Sequence, residues 1–281
     1  SDMNVRTVNY KDSKSSHDFT RSLRETGFGV LNNHPIDIGL IHSVYDEWKS
    51  FFNKNDKHHY LYHPVKQDGY FPLGTENAKG ATISDIKEFY HYYSWGRLPV
   101  ELSTNTKKLY EELVNLTSIL LQWIEDETPD HIKSLFSIPL PNMIENSRTH
   151  LLRIIHYPPL DGTEKSGAIR GAAHEDINLI TLLVAGTEPG LQVQDVNGKW
   201  HDVTCDPGSL AINVGDMLKE ASGGYFPSTT HRVINPDNTI DNKSRYSMPL
   251  FLHPSDDVIL SDRYTAKKYL QERLKEIGLK S

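Results

Sequence analysis

Three residues of this 281-residue chain have the types and the spacing to hold a metal ion. His174 and Asp176 flank one residue in Ala173-His174-Glu175-Asp176, at the head of a strand-like segment. In an extended chain, residues two apart point to the same face. An imidazole and a carboxylate would then stand side by side, with Glu175 turned away. The carboxylate adds the charge that a hard divalent ion favours, and imidazole suits iron. The third ligand has to come from another strand, and His231 in Thr229-Thr230-His231-Arg232-Val233 is the candidate. Two histidines and one carboxylate on one face of iron(II) leave the other positions open for a co-substrate and dioxygen. Zinc is the competing metal for such a set. Alone, H-x-D carries little weight in a chain with 14 histidines, most of which read as surface or satisfied core.

A second pair lies further on, in Arg245-Tyr246-Ser247. Arg245 and Ser247 share a face by the same two-residue period. An arginine pointing into a protein interior must be paired, because a lone buried charge is costly. A bound carboxylate is the natural partner: guanidinium grips it with two parallel hydrogen bonds and the serine hydroxyl adds a third. The competing reading is a structural arginine in an internal salt bridge. A five-carbon 2-oxo diacid would use both sites, its 2-oxo and neighbouring carboxylate groups on the metal and its far carboxylate on the arginine.

The elements that must position these groups fall into two patterns. The first half reads mainly helical, with helices over Ser16–Glu25, Ile38–Phe52 and Thr104–Asp126, the last capped by Ser103 or Thr104. Gly27 ends the first of them, and Gly29–Asn32 reads as a strand. From near Thr149, short apolar runs alternate with turn signals: Leu151–Tyr157, Leu179–Val184 before Gly186, Leu191–Val193, Leu210–Val214 and Arg245–Leu252. That rhythm points to an all-β sandwich or barrel. Tyr264–Ile277 returns to a helical pattern and is expected on the outside. The chain therefore reads as one catalytic domain over 1–281: a mainly helical portion (about 1–148), a β-core (about 149–255) and a C-terminal helix.

Composition narrows the functions. A formal net charge of −7 lacks the global field that draws in nucleic acid or anionic lipid, so neither partner is expected. The lone Cys205 precludes an internal disulfide and any cysteine-rich zinc or iron–sulfur site, and it suits a reducing compartment. No apolar run approaches the ~20 residues needed to span a membrane. The N-terminus has no signal-peptide core, and Ser1-Asp2 ahead of Met3 looks like a cloning remnant. A soluble cytoplasmic protein with a small-molecule substrate is the expectation; the sequence carries no signal for an oligomeric state.

Taken together in order, the motifs resemble the isopenicillin N synthase-like family of iron(II)/2-oxoglutarate oxygenases, from about Leu23 to His253. Thr26–His34 resembles the family's G-F-x-x-x-x-N-H segment; Gly69–Gly74 and Asp85–Phe89 resemble two further signatures. In the second half, Ala173–Asp176, Pro189–Val193, Gly198-Lys199-Trp200, Asn213–Asp216, Ser228–Val233 and Arg245-Tyr246-Ser247 are similar to its H-x-D, G-L-Q-V, G-x-W, N-x-G-D, distal-histidine and R-x-S motifs.

The resemblance implies an α+β protein with a double-stranded β-helix (jelly-roll, cupin-like) core flanked by α-helices. It implies His174, Asp176 and His231 as iron(II) ligands and Arg245 and Ser247 on the distal carboxylate of 2-oxoglutarate. Tyr157 matches a family tyrosine near the co-substrate. Many plant members carry Asn where this chain has Ile155, which removes one polar contact to 2-oxoglutarate. His156, on the opposite strand face, reads as structural. The implied activity uses O2 to oxidise a C–H bond of a small molecule, by hydroxylation, desaturation or cyclisation, with release of succinate and CO2. The alternatives are an oxidase of the same fold that does not use 2-oxoglutarate, a catalytically silent binding protein and hydrolytic zinc chemistry. Tyr70, Phe89, Tyr90, Phe226 and Phe251 are candidates to line the substrate pocket or to pack the core.

Overall fold

Apolar stripes at helical spacing form the helices that support the β-core. Helix α1 (Ser15–Thr26) buries Phe19 and Leu23 and ends at Gly27, whose φ of +76° is the left-handed closure glycine allows. Helix α2 (Ile38–Phe52) starts at Asp37, whose carboxylate accepts from the N–H groups of Gly39 and Leu40. Its buried side chains include Ile41, Val44, Trp48, Phe51 and Phe52. Helix α3 (Asn105–Asp126) packs against α1 and α2, and the Trp48 indole donates to Thr106 Oγ1 at 2.9 Å. The Thr104 side chain makes no capping hydrogen bond; Ser103 Oγ instead accepts from Asn105 N–H. Two single turns follow, α4 (Asp130–Lys133) and α5 (Leu140–Met143).

The computed structural model describes residues 3–75, 87–160, 169–185, 189–234 and 243–278, so Asp85, Ile86 and Gly186 lie outside the described residues. Strands β1 (Thr7–Asn9), β2 (Phe28–Asn32), β3 (Gly69–Phe71) and β4 (Glu88–Tyr92) come from the first half. The second half adds β5 (Leu151–Tyr157), β6 (Ile169–His174), β7 (Ile180–Val184), β8 (Leu191–Gln194), β9 (Trp200–Asp202), β10 (Leu210–Val214), β11 (His231–Ile234) and β12 (Arg245–Leu252). They form an eight-stranded sheet in the order β1-β2-β10-β7-β12-β5-β4-β3 and a four-stranded sheet in the order β6-β11-β8-β9. Helix α6 (Asp216–Ala221) follows β10. The C-terminal helix α7 (Ala266–Glu276) docks outside it, with Tyr269 Oη donating to Asp216 Oδ2 at 3.1 Å. This is a jelly-roll core flanked by helices, as expected. The first half is less purely helical than its pattern reads, because β1 to β4 extend the large sheet at both edges. Burial explains the difference: β4 is buried at every position, so it lacks the alternation that marks a half-exposed strand.

The large sheet has two distinct faces. Along β5, Leu152 and Ile154 turn outward and join the main core under the helices, with Tyr90, Leu182 and Leu250 from neighbouring strands. Ile155 and Tyr157 turn inward, where they cluster with Phe71 and Phe89. The two sheets meet across this interior: Phe28 and Leu183 of the large sheet pack with Leu191 and Val193 of the small one.

On the outer face a buried polar group replaces an apolar contact. The Glu88 carboxylate accepts from His156 Nδ1 at 2.6 Å, Lys57 Nζ at 2.8 Å and Tyr70 Oη at 2.5 Å. His156 is therefore structural and turned away from Ile155 and Tyr157. Burial alone would push the Glu88 carboxyl up, but the hydrogen bonds from His156, Lys57 and Tyr70 outweigh it and hold it below its ordinary value. A depressed carboxyl contributes stability that is present above the unfolded-state value, roughly 4.3, and is lost as pH falls through the folded value. Glu88→Gln is expected to destabilise the protein by roughly 3 kcal/mol at pH 7, the low end for breaking a buried pair because glutamine keeps an acceptor. Urea unfolding across pH should show that gap narrowing below pH ~4; a gap independent of pH would mean that the carboxylate charge contributes nothing.

Candidate metal centre

His174, Asp176 and His231 come together at one end of the interior. The small sheet places the histidines opposite each other, since His231 of β11 is the register partner of His174 of β6. Their ring centroids are 4.4 Å apart. The one difference from the sequence reading is local: His174 ends β6 rather than heading a strand, and Asp176 lies in the loop before β7. Glu175 does turn away, toward an outer groove it shares with Asp216, Lys219 and Arg263.

One carboxylate oxygen faces both imidazoles. Asp176 Oδ1 lies 3.3 Å from His174 Nε2 and 3.4 Å from His231 Nε2. One ligand atom from each of the three residues fits within a mutual distance of 4.8 Å. The outer nitrogens are engaged elsewhere. His174 Nδ1 donates to the Ala172 carbonyl at 2.8 Å and His231 Nδ1 to the Thr229 carbonyl at 3.1 Å. Those bonds fix the tautomer that leaves each Nε2 lone pair facing the centre, the usual arrangement of metal-binding histidines.

The rear of Asp176 is equally tied. Its Oδ2 accepts from Thr181 Oγ1 at 2.7 Å and Asn213 Nδ2 at 2.8 Å. Its carbonyl accepts from Asp216 N–H at 2.7 Å, while Gly215 N–H and Met217 N–H reach Leu179 and Asn178. A Cβ on Gly215 would collide with the Asn178 carbonyl, so only glycine permits this approach. The Asn213-Val214-Gly215-Asp216 turn is thus a clasp on the loop that carries Asp176, a role the sequence pattern alone does not disclose.

Electrostatics agree with a cation site. Burial by itself would push the Asp176 carboxyl up, but the His231 and His174 imidazoles outweigh it and hold it well below the usual carboxylate range. Burial would pull His231 down, yet Asp176 raises it above its ordinary value. A buried anion that recruits positive charge from its neighbours, beside two aimed lone pairs, fits a divalent metal ion. Asp176 and His231 are largely covered, whereas the His174 side chain is 55% exposed, which leaves the centre reachable from outside.

The anion pair lies on the inner face of the large sheet, whereas the two histidines belong to the small one. Arg245 and Ser247 are both 3% exposed and pair across β12–β5 with Tyr157 and Ile155. The Arg245 guanidinium stands 5.5 Å from the Tyr157 ring centroid. The Tyr157 hydroxyl reaches the small sheet, 3.6 Å from where a Gly171 side chain would begin. Of the expected pocket aromatics, Phe89 belongs to the inner cluster and Phe251 shares the inner face of β12 with Arg245 and Ser247. Tyr70, Tyr90 and Phe226 belong to the main core.

The 2OG-Fe(II) oxygenase superfamily profile matches residues 148–254, and the profile for the N-terminal part of a non-haem dioxygenase in morphine synthesis matches residues 4–112. A crystal structure of a candidate oxygenase from Shewanella oneidensis is 54% identical, over 98% of this chain and 99% of that one, with a TM-score of 0.90. A candidate 2OG-Fe(II) oxygenase family protein from Caulobacter crescentus is 31% identical, over 97% and 99% of the two chains, with a TM-score of 0.78. The 2-oxoglutarate-dependent dioxygenase citB of Monascus ruber is 26% identical over 91% of this chain and 87% of its own length.

The clasp on Asp176 is testable without touching a ligand. Thr181→Val and Asn213→Ala should each weaken metal binding by about 10–100-fold, the usual cost of losing an outer partner. Manganese(II) titration followed by electron paramagnetic resonance reads this directly. Affinity equal to wild type in both variants would mean that Asp176 needs no such support.

Proposed function

The chain belongs to the 2OG-Fe(II) oxygenase superfamily, and from that premise we propose how its own residues perform iron(II)- and 2-oxoglutarate-dependent oxidation of a small molecule. The observation that carries the reading is the convergence of two imidazole Nε2 atoms from the small sheet with one Asp176 carboxylate oxygen, together with Arg245 and Ser247 on the inner face of the large sheet. His174, Asp176 and His231 would hold the metal. When bound there, iron(II) supplies the redox chemistry that couples decarboxylation of 2-oxoglutarate, with O2, to oxidation of a substrate C–H bond, giving succinate and CO2.

The protein's contribution is binding, orientation and exclusion of water. Asp176 offsets part of the metal's charge. The Ala172 and Thr229 carbonyls keep the imidazoles in the ligating tautomer. Arg245 and Ser247 take the distal carboxylate of 2-oxoglutarate, with Tyr157 alongside. Ile155, Phe71 and Phe89 keep that wall apolar, which strengthens the charged contacts made there. Hydroxylation is the expected outcome at the substrate carbon. Portions 1–148 and 149–255 share one sheet, which supports reading 1–281 as one catalytic unit. Among the described residues no helix is long and apolar enough to cross a membrane. The single Cys205 further favours the reducing cytoplasm.

Anaerobic titration of the iron(II) protein with 2-oxoglutarate should give a saturable visible charge-transfer band, and that band should vanish in Asp176→Ala. Iron retained with no band would exclude 2-oxoglutarate and point to an oxidase of the same fold. Arg245→Ala should raise the 2-oxoglutarate concentration needed for half-saturation by about ten- to a hundredfold, since a charge-assisted contact is worth roughly 1.5–3 kcal/mol. An unchanged half-saturation would place that carboxylate elsewhere.

A further inference from the structure

A second cation faces the same interior. Arg153 lies on the inner face of β5, between Ile155, the partner of Ser247, and Leu151, the partner of Phe251. Phe251 in turn neighbours Thr181, whose hydroxyl holds Asp176. The arginine therefore stands on the stretch of wall between the Ser247 end and the metal-centre end. Its guanidinium lies 5.2 Å from the ring centroids of both Phe89 and Phe251. The Lys87 ammonium is near the same Phe89 ring, at 5.7 Å.

The hydrogen bonding of Arg153 leaves its binding edge open. Arg153 Nε–H donates to His91 Nε2 at 3.0 Å, and His91 Nδ1–H donates to the Gln67 carbonyl at 2.9 Å. A histidine that accepts at one nitrogen and donates at the other is neutral. Burial, then the Arg153 charge, keeps it so by holding its imidazolium well below the ordinary range. His91 thus orients the guanidinium without neutralising it. Among the described residues no Asp or Glu carboxylate pairs with Arg153. With Nε engaged, the edge formed by the two terminal nitrogens keeps its parallel N–H donors, the geometry that takes a carboxylate in two bonds. A half-buried cation of this kind is costly to leave uncompensated.

We propose that Arg153 receives a carboxylate of the primary substrate, so that the enzyme acts on small organic acids whose apolar body lies along Phe89 and Phe251. This substrate class rests on the functional reading above. Arg245 and Ser247 hold the co-substrate's carboxylate and Arg153 holds the substrate's, and the two anion sites are separated along the paired strands β5 and β12.

The test uses the protein loaded with manganese(II), which does not turn over, and saturating 2-oxoglutarate. Calorimetry then compares phenyl- and indolyl-alkanoic acids with their own carboxamides. Acids should bind at least about tenfold tighter than the matched amides, the lower end for a charge-assisted contact. Arg153→Gln should erase that ratio and Arg153→Lys should keep part of it, both with unchanged 2-oxoglutarate affinity and melting temperature. Iron(II) enzyme should release succinate faster with the acids that bind. Equal binding of acids and amides, no acid bound, or a ratio that survives Arg153→Gln would overturn the assignment. So would loss of 2-oxoglutarate binding in Arg153→Gln, which would give the arginine to the co-substrate. Wild-type protein that fails to bind 2-oxoglutarate sinks the functional reading instead, and the acid–amide ratio still decides the anion site.

Discussion

One buried carboxylate organises this molecule. Asp176 is 5% exposed, yet it remains an anion, because the hydrogen bonds to one oxygen and the imidazoles beside the other outweigh the cost of burial. Oδ2 is held from the large sheet, by Thr181 of β7 and Asn213 of β10. Oδ1 faces His174 and His231 of the small sheet. The charge therefore sits on the seam between the sheets, and each sheet fixes half of it. Removing either half would leave a buried charge poorly compensated, at a cost that packing nearby could not recover. The N-x-G-D clasp, the strand register of β6 and β11 and the carbonyl bonds to the histidines all serve that one position.

The large sheet separates stability from chemistry by the two-residue period of its strands. Outward positions such as Tyr90, Leu152, Ile154 and Leu250 bury against α2 and α3 and build the core. Inward positions on the same strands carry Phe89, His91, Arg153, Ile155, Tyr157, Arg245 and Ser247. Even the outward polar group, Glu88 with His156, is satisfied entirely within its own layer. A change on one face can therefore alter binding with little effect on packing, and the reverse.

The interior is basic although the chain is acidic. The net charge of −7 is a sum over the whole chain and does not describe this face. Inside, Arg153 and Arg245 stand among aromatic rings and sheet backbone. Cations held over aromatic faces are poised for planar anions, and both 2-oxoglutarate and a carboxylic acid substrate meet that requirement. The metal would add positive charge of its own at the far end.

Much of this was legible in the sequence, and the reason is local. R-x-S is a statement about residues two apart on extended chain, and alternation is a property of each strand by itself; H-x-D names the right pair although Asp176 lies in the loop after β6, and Tyr157 is marked only by the family resemblance. Helix α2 spans Ile38–Phe52 as its stripe requires, and β5, β10 and β12 match their apolar runs residue for residue. What the sequence could not decide is which strands become neighbours. Fully buried β4 has no alternation to read, so neither its place beside β5 nor the meeting of His91 with Arg153 is written in either segment. The same holds for Gly215, whose necessity appears only when the Asn178 carbonyl arrives at its α-carbon. Ligand types and faces are set by the chain's own periodicity. The second anion site and the clasp on Asp176 are set by long-range pairing, because only tertiary contact brings a neutral acceptor to an arginine or a backbone carbonyl to a glycine.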